Sequence, residues 1–282
     1  MRNCFTPQLA SWKPTEDATG YLSIVPAHTI TWSLAEGDYS YFESGAVKTL
    51  ADYTVGFCDN TGDAASFGDN GYGRGVYTRN LDWAVWYYDD ANIYWWLDRV
   101  KSGGWPNPFD PELAPIPWED LAGARVFPLT EPLYRYTALK WHAPNVPLEK
   151  CFDKISFREN LDPDGQYFLL DGYSRGGHLH YDGNAIIKFY ADGEDWLMDG
   201  DYLVRNTTDH NMVSVIRDGR CVAALPECAS LEHMLDRSGL AMTQTGMSDY
   251  NGANWLRNIV WLKGGPICVI DRTEAAEAGD YK

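Results

Sequence analysis

The spacing of apolar residues changes character once along this chain. Up to about residue 123, apolar positions recur at helical steps of three and four, between loops rich in Gly and Asp. Residues 26–35 read as a short helix and residues 43–57 as a second. Residues 76–100 bring Leu81, Val85, Tyr88, Trp95 and Trp96 near one another at mixed steps, which fits one long helix or two shorter ones. The run CDNTGDAASFGDNGYGRG is crowded with turn formers. The proline-rich run GGWPNPFDPELAPIPWED breaks helices and suits a linker. From about Ala124 the pattern turns to short strands, expected at 154–158, 166–170, 185–190, 196–198, 212–216, 259–262 and 267–270. Turn signals such as DPDG, ADGED and RDGR separate them. Regular short strands with such turns predict an antiparallel sandwich. The expected organisation is therefore α+β and multidomain, with helices over residues 1–123 and an antiparallel β-sandwich over residues 124–282.

Composition narrows the function. The hydrophobic fraction of 45% is that of a folded protein, which excludes a disordered chain. Twelve Trp and 18 Tyr supply aromatic faces that line sugar-binding clefts or fill cores. The formal net charge of −17 counts against nucleic acid and anionic membrane surfaces, both of which need a basic footprint. It also counts mildly against an anionic polysaccharide, unless the cleft is locally basic. No window of about 20 apolar residues offers a membrane span, and the first 20 residues carry no apolar run of the signal-peptide kind. Six cysteines without a CxxC pair exclude a zinc finger or a small disulfide scaffold. Cys221 and Cys228 are close enough in sequence to bridge a hairpin in an oxidising compartment, or to stay as buried thiols.

Candidate chemistry concentrates in GGHLHYDGNAIIKFYADGEDWLMDGDYLVRNTTDHNMVSV. In an extended strand alternate side chains share a face, so His178, His180 and Asp182 are expected on one side. Asp182 could orient an imidazole by accepting its second N–H. Asp199 ends a strand that returns after the ADGED turn, and His210 follows a loop. His180, Asp199 and His210 would make an N/N/O set that suits zinc and leaves a position open. A hydrogen-bonded polar cluster is the other reading of the same residues.

These motifs resemble those of the heparinase II/III-like polysaccharide lyases. The run HLHYDGNAIIKFYADGEDWLMDG is similar to that family's HxHxD signature with its following strand and DxG. The run RNTTDHNMVSVIRDG is similar to the continuation, and EDATGY to the tyrosine motif of the α/α toroid. The resemblance covers most of the chain and implies a partial α/α toroid of helices followed by the family's β-sandwich. It implies β-elimination at a uronic acid: a base takes the C5 proton, the C4–O bond breaks, and an unsaturated sugar remains. Such chemistry needs the substrate carboxylate neutralised, and it needs a base and an acid in reach. By resemblance Tyr21 is the catalytic tyrosine, and His178 helps in proton transfer or carboxylate neutralisation. Tyr202 stands where some members hold a second functional tyrosine. Arg175 could pair with a substrate carboxylate. His180, Asp199 and His210 match the ligands of a structural zinc. The implied partner is an anionic uronate polymer of the heparin, heparan sulfate or alginate kind, and the implied location is secreted or periplasmic.

The sequence also departs from the family. Only 20 residues precede Tyr21, so the family's upstream Asn element and most of its toroid are missing, and Ala18 stands where Ser is commoner. The sandwich is expected to stop before its last strands. A fragment of a longer protein is expected, and it could be inactive. Two other readings remain: a non-catalytic carbohydrate-binding sandwich, and a zinc hydrolase of the HxHxDH kind, which Gly183 in place of the next His disfavours.

Overall fold

The computed structural model describes residues 12–13, 17–68, 70, 79–100, 113–140, 146–174, 180–199, 205–221 and 225–282. Helix α1 (Tyr21–Glu36) begins five residues before the apolar pattern suggests and carries Pro26 inside it. Proline at the sixth position costs one backbone hydrogen bond there. The helix stops at Gly37, whose φ of 68° lets its N–H reach the Leu34 carbonyl, while Asp38 N–H reaches Ser33.

The single helix expected over 43–57 is two, α2 (Ser40–Glu43) and α3 (Ala46–Gly56), divided at Gly45 with φ 78°. Residues 76–100 hold two helices, α4 (Arg79–Tyr88) and α5 (Ala91–Val100). They divide at Asp89, with φ 50°. Asp90 Oδ1 then accepts the N–H groups of Asn92 and Ile93, both at 3.0 Å, and caps the new helix.

Five strands form the first sheet in chain order: β1 (Gly123–Pro128), β2 (Phe152–Arg158), β3 (Tyr167–Asp171), β4 (Ile186–Ala191) and β5 (Glu194–Met198), all antiparallel. A helix absent from the sequence reading, α6 (Glu131–Lys140), lies between β1 and β2. The second sheet runs β6 (Ser230–Arg237), β7 (Leu240–Tyr250), β8 (Ala253–Leu262) and β9 (Ile267–Ala275), again in chain order. The strand expected at 212–216 is irregular. Its backbone is bonded to the Tyr250 hydroxyl and to Lys282 instead of a neighbouring strand. The architecture is α+β, helices followed by two antiparallel sheets.

The first sheet is covered on both faces, which explains why β2 and β3 are buried throughout. Tyr167 and Leu169 pack against the helices, whereas Phe168 and Leu170 pack against the second sheet. The second sheet contributes Trp255, Ile259 and Trp261 at alternate positions of β8. The helix-facing side of the first sheet is not purely apolar. Arg158 bonds to Asn60 and to the Cys58 carbonyl at 2.6 Å, and Lys188 pairs with Asp59 and Asp63 at 2.8 Å.

Two bulges shape this face. Phe127 pairs with Lys154 but Pro128 with Phe152, so Asp153 is an extra residue. Leu169 pairs with Lys188 but Leu170 with Ile186, so Ile187 is another. Each bulge turns two successive residues toward the helices.

Candidate functional site

The site is assembled where the start of α1 meets the entry to β4. Tyr21 opens α1, and its N–H reaches the Ala18 carbonyl at 3.0 Å. The segment before it is clamped by the loop after α3. Thr19 Oγ1 donates to the Ala65 carbonyl at 2.7 Å and accepts from Phe67 N–H, while Thr19 N–H reaches the Phe67 carbonyl. In that loop Gly68 has φ +62°, and a Cβ there would overlap the backbone carbonyl of Asp17. Only glycine allows this approach. Gly68 N–H points to Asp182 Oδ2 at 3.4 Å, so the loop joins the tyrosine segment to the HxHxD segment. Asn70, buried, stands against Gly20.

His180 and Asp182 do not lie in a strand, as the alternation argument expected. Residues 180–185 form a turn leading into β4, with Asn184 at φ 63°. Both side chains are nevertheless buried. Asp199 follows β5, and its N–H bonds to the carbonyl of the bulge residue Ile187 at 2.7 Å. His210 is brought alongside: its Nδ1 lies 2.9 and 3.1 Å from the two Asp199 oxygens. The His180 and His210 ring centres are 6.0 Å apart. Thus Asp199, not Asp182, is the carboxylate that orients the His210 imidazole.

Two further residues hold the loops in place. Asn211 brackets Ile186, accepting its N–H at 3.1 Å through the backbone and donating to its carbonyl at 3.2 Å through the side chain. Arg257 of β8 donates to the Asn184 and Asn211 carbonyls at 2.7 and 3.2 Å, and is fixed by both oxygens of Asp271. Nothing local in the sequence marks this arginine, because its burial depends on Asp271 and on two carbonyls from distant loops.

Burial raises the Asp182 carboxyl to about 6; the neighbouring His210 opposes the shift, and the carboxylates of Asp17 and Asp199 add to it. Burial works against a charged His210, but the Asp199 hydrogen bond and the Asp182 charge outweigh it and raise the imidazole above its ordinary value. The pair therefore favours protonation.

Among the described residues no group of three His, Cys, Asp or Glu side chains is arranged to hold a metal ion as it stands. The donor types of His180, Asp199 and His210 are nonetheless those that zinc takes. Two imidazoles and one carboxylate are gathered in a buried cluster, and His210 Nε2 is buried with no hydrogen-bond partner among the described residues. Arg175, His178 and Tyr202 lie outside the described residues. Cys221 and Cys228 are free thiols; Cys221 meets the Thr207 hydroxyl at 3.3 Å, and Cys228 packs in one apolar cluster with Cys151.

No family model matches the chain, and no curated protein matches it in sequence. Solved structures do match in fold. Heparan sulfate lyase HepC from Pedobacter heparinus superimposes with a TM-score of 0.56 at 14% identity, over 90% of this chain and 36% of that one. A heparinase III structure gives 0.60 at 11% identity, over 88% of this chain and 37% of that one. Another heparinase III gene product gives 0.58 at 11% identity, over 89% and 36%. The chain thus spans little more than a third of the length of these structures and shares the fold of that third.

Proposed function

We propose that this chain carries part of the site of a polysaccharide lyase that cleaves uronic-acid-containing polysaccharides by β-elimination. The observation that supports this most is the fold shared over about nine-tenths of the chain with structures titled heparan sulfate lyase and heparinase III. The tyrosine segment and the HxHxD segment are joined in it through Gly68 and Asp182. In this reading Tyr21 transfers a proton at the reacting sugar, assisted by His178 and Tyr202. Arg175 neutralises the uronate carboxylate, which makes the C5 proton more acidic. An unperturbed tyrosine titrates at about 10, so an adjacent cation is needed for it to act as a base near neutrality.

His180, Asp199 and His210 would hold a zinc ion whose contribution is to fix the shape of the site. The substrate class is an anionic uronate polymer, heparan sulfate-like or alginate-like, and the protein works outside the cytoplasm. A zinc hydrolase of the HxHxDH kind is disfavoured, because Gly183 stands where that motif's next His would be.

Mass analysis of digests tests the reaction type. Elimination gives products one water lighter than hydrolysis. Products of hydrolytic mass would overturn the lyase reading, and bound but uncleaved polymer would replace it with a carbohydrate-binding sandwich.

A further inference from the structure

Among the described residues, a group of fully buried charges lies outside the histidine cluster. Lys154 stands in β2 directly opposite Asp171 of β3, and both side chains are fully buried. The Lys154 ammonium is 2.9 Å from Asp171 Oδ1, 3.0 Å from Asp153 Oδ1 and 3.3 Å from both oxygens of Asp17. It also sits 4.3 Å from the centre of the Phe67 ring. Lys13 completes the cluster, pairing with Asp17 at 2.7 Å and with Asp153.

The partners come from the three stretches that build the candidate site. Asp17 lies four residues before Tyr21. Phe67 belongs to the loop whose Gly68 abuts Asp17 and points at Asp182. Asp171 exchanges backbone bonds with the turn that carries His180 and Asp182: Asn184 N–H reaches its carbonyl at 2.9 Å, and its own N–H reaches Ala185 at 3.0 Å.

Burying an ammonium costs several kcal/mol in lost hydration, which apolar residues of similar size would avoid. What charge adds is direction, because three carboxylates fix the nitrogen at one point where apolar surfaces could slide. Burial, opposed by Lys154 and aided by Asp182 and Asp17, holds the Asp171 carboxyl well above the usual carboxylate range, and its Oδ2 has no hydrogen-bond partner among the described residues.

We infer that Lys154 is a positioning residue, whose ammonium ties the segment leading into Tyr21 to the strand ends that carry the His180–Asp182 turn. The purpose of this tie rests on the lyase reading; the tie itself does not.

Hydrogen exchange read by mass spectrometry on the whole chain tests it, comparing wild type with Lys154→Met and with Lys154→Met/Asp17→Asn. The double variant also removes the stranded Asp17 charge and serves if the single variant fails to fold. Exchange over residues 17–22 and 180–185 should quicken about tenfold or more, while α3–α5 and β7–β8 keep their rates. Unchanged rates at 17–22, or a rise spread evenly over the chain, would overturn the inference. Where the wild type forms unsaturated product, kcat should fall at least about tenfold with KM within about twofold, as expected for a misplaced catalytic group; an unchanged kcat would overturn it too. Absence of product from the wild type would count against the lyase reading alone, leaving the exchange result to decide the tie.

Discussion

Replacing Arg257 with methionine tests how the second sheet supports the candidate site. The guanidinium is 4% exposed and stacks 4.7 Å from the Trp255 ring centre. It gives Nε to Asp271 Oδ1 at 2.9 Å and Nη2 to Oδ2 at 3.0 Å, and Nη1 to the Asn184 and Asn211 carbonyls. Methionine keeps most of the stem packing, so the loss is polar. Removing one partner of a buried ion pair costs about 3–5 kcal/mol. Asp271 is 27% exposed, and water relieves part of its stranded charge, which brings that contribution toward about 2 kcal/mol. Two carbonyls lose a charged donor, at roughly 1 kcal/mol each. The expected total is about 4 kcal/mol, or a fall in Tm of roughly 8–16 °C at about 2–4 °C per kcal/mol for a chain of this size. Urea denaturation followed by tryptophan fluorescence reads the free energy, and calorimetry reads the Tm. A loss under about 1 kcal/mol would show that the loops are held by Asn211 and the β4 bulge without the arginine.

Other consequences can be checked separately. Asp182, raised to about 6 in the folded chain, stabilises the fold while protonated; that contribution is full below the ordinary carboxylate value of 3.8 and is lost as pH rises through about 6. Raised His210 has the same sign at higher pH, its contribution lost as pH climbs through the raised value. Metal-free Asp182→Asn should therefore match wild type near pH 4 and exceed it by about 2–3 kcal/mol at pH 8, read by denaturation at each pH; a constant gap would refute this. Asp90→Ala removes the α5 cap and should cost about 1 kcal/mol, with Asp90→Asn costing less, because asparagine caps as well; equal losses would assign the effect to the Lys48 ion pair instead. Zinc at about 100 times its dissociation constant should stabilise wild type by about 2.7 kcal/mol and leave His180→Ala and His210→Ala unchanged. Metal content equal in all three would remove these histidines as ligands.

The class of fold was legible because periodicity reports which face is buried. In β8 every second residue from Ala253 to Trp261 points inward, and the strand stands out. In β2 the same alternation misleads. Lys154, Ser156 and Arg158 alternate like a solvent face, yet all three are buried, Lys154 by ion pairs and Arg158 by hydrogen bonds to Asn60 and the Cys58 carbonyl that a local pattern does not contain. The bulges at Asp153 and Ile187 depend on the partner strand and leave no local mark. In helix α6 the apolar residues do not share one face, Leu133 being buried and Leu139 exposed, and the β6–β7 hairpin has a half-exposed face of mixed polarity, so neither shows a clear period. The return of Asp199 to the β4 entry could be read from the hairpin, and there it meets His210. Asp17 and Lys154 are 137 residues apart, and nothing local connects them.

The central claim is that Tyr21 belongs to an elimination site. The direct measurement is the ultraviolet absorbance of unsaturated uronate released from alginate, heparan sulfate, hyaluronan and glucuronan, by wild type and by Tyr21→Phe. A signal is expected on at least one polymer, and it disappears in the variant while the variant's denaturation curve stays that of wild type. A signal that survives in Tyr21→Phe, or none from wild type on any of the four, would contradict it.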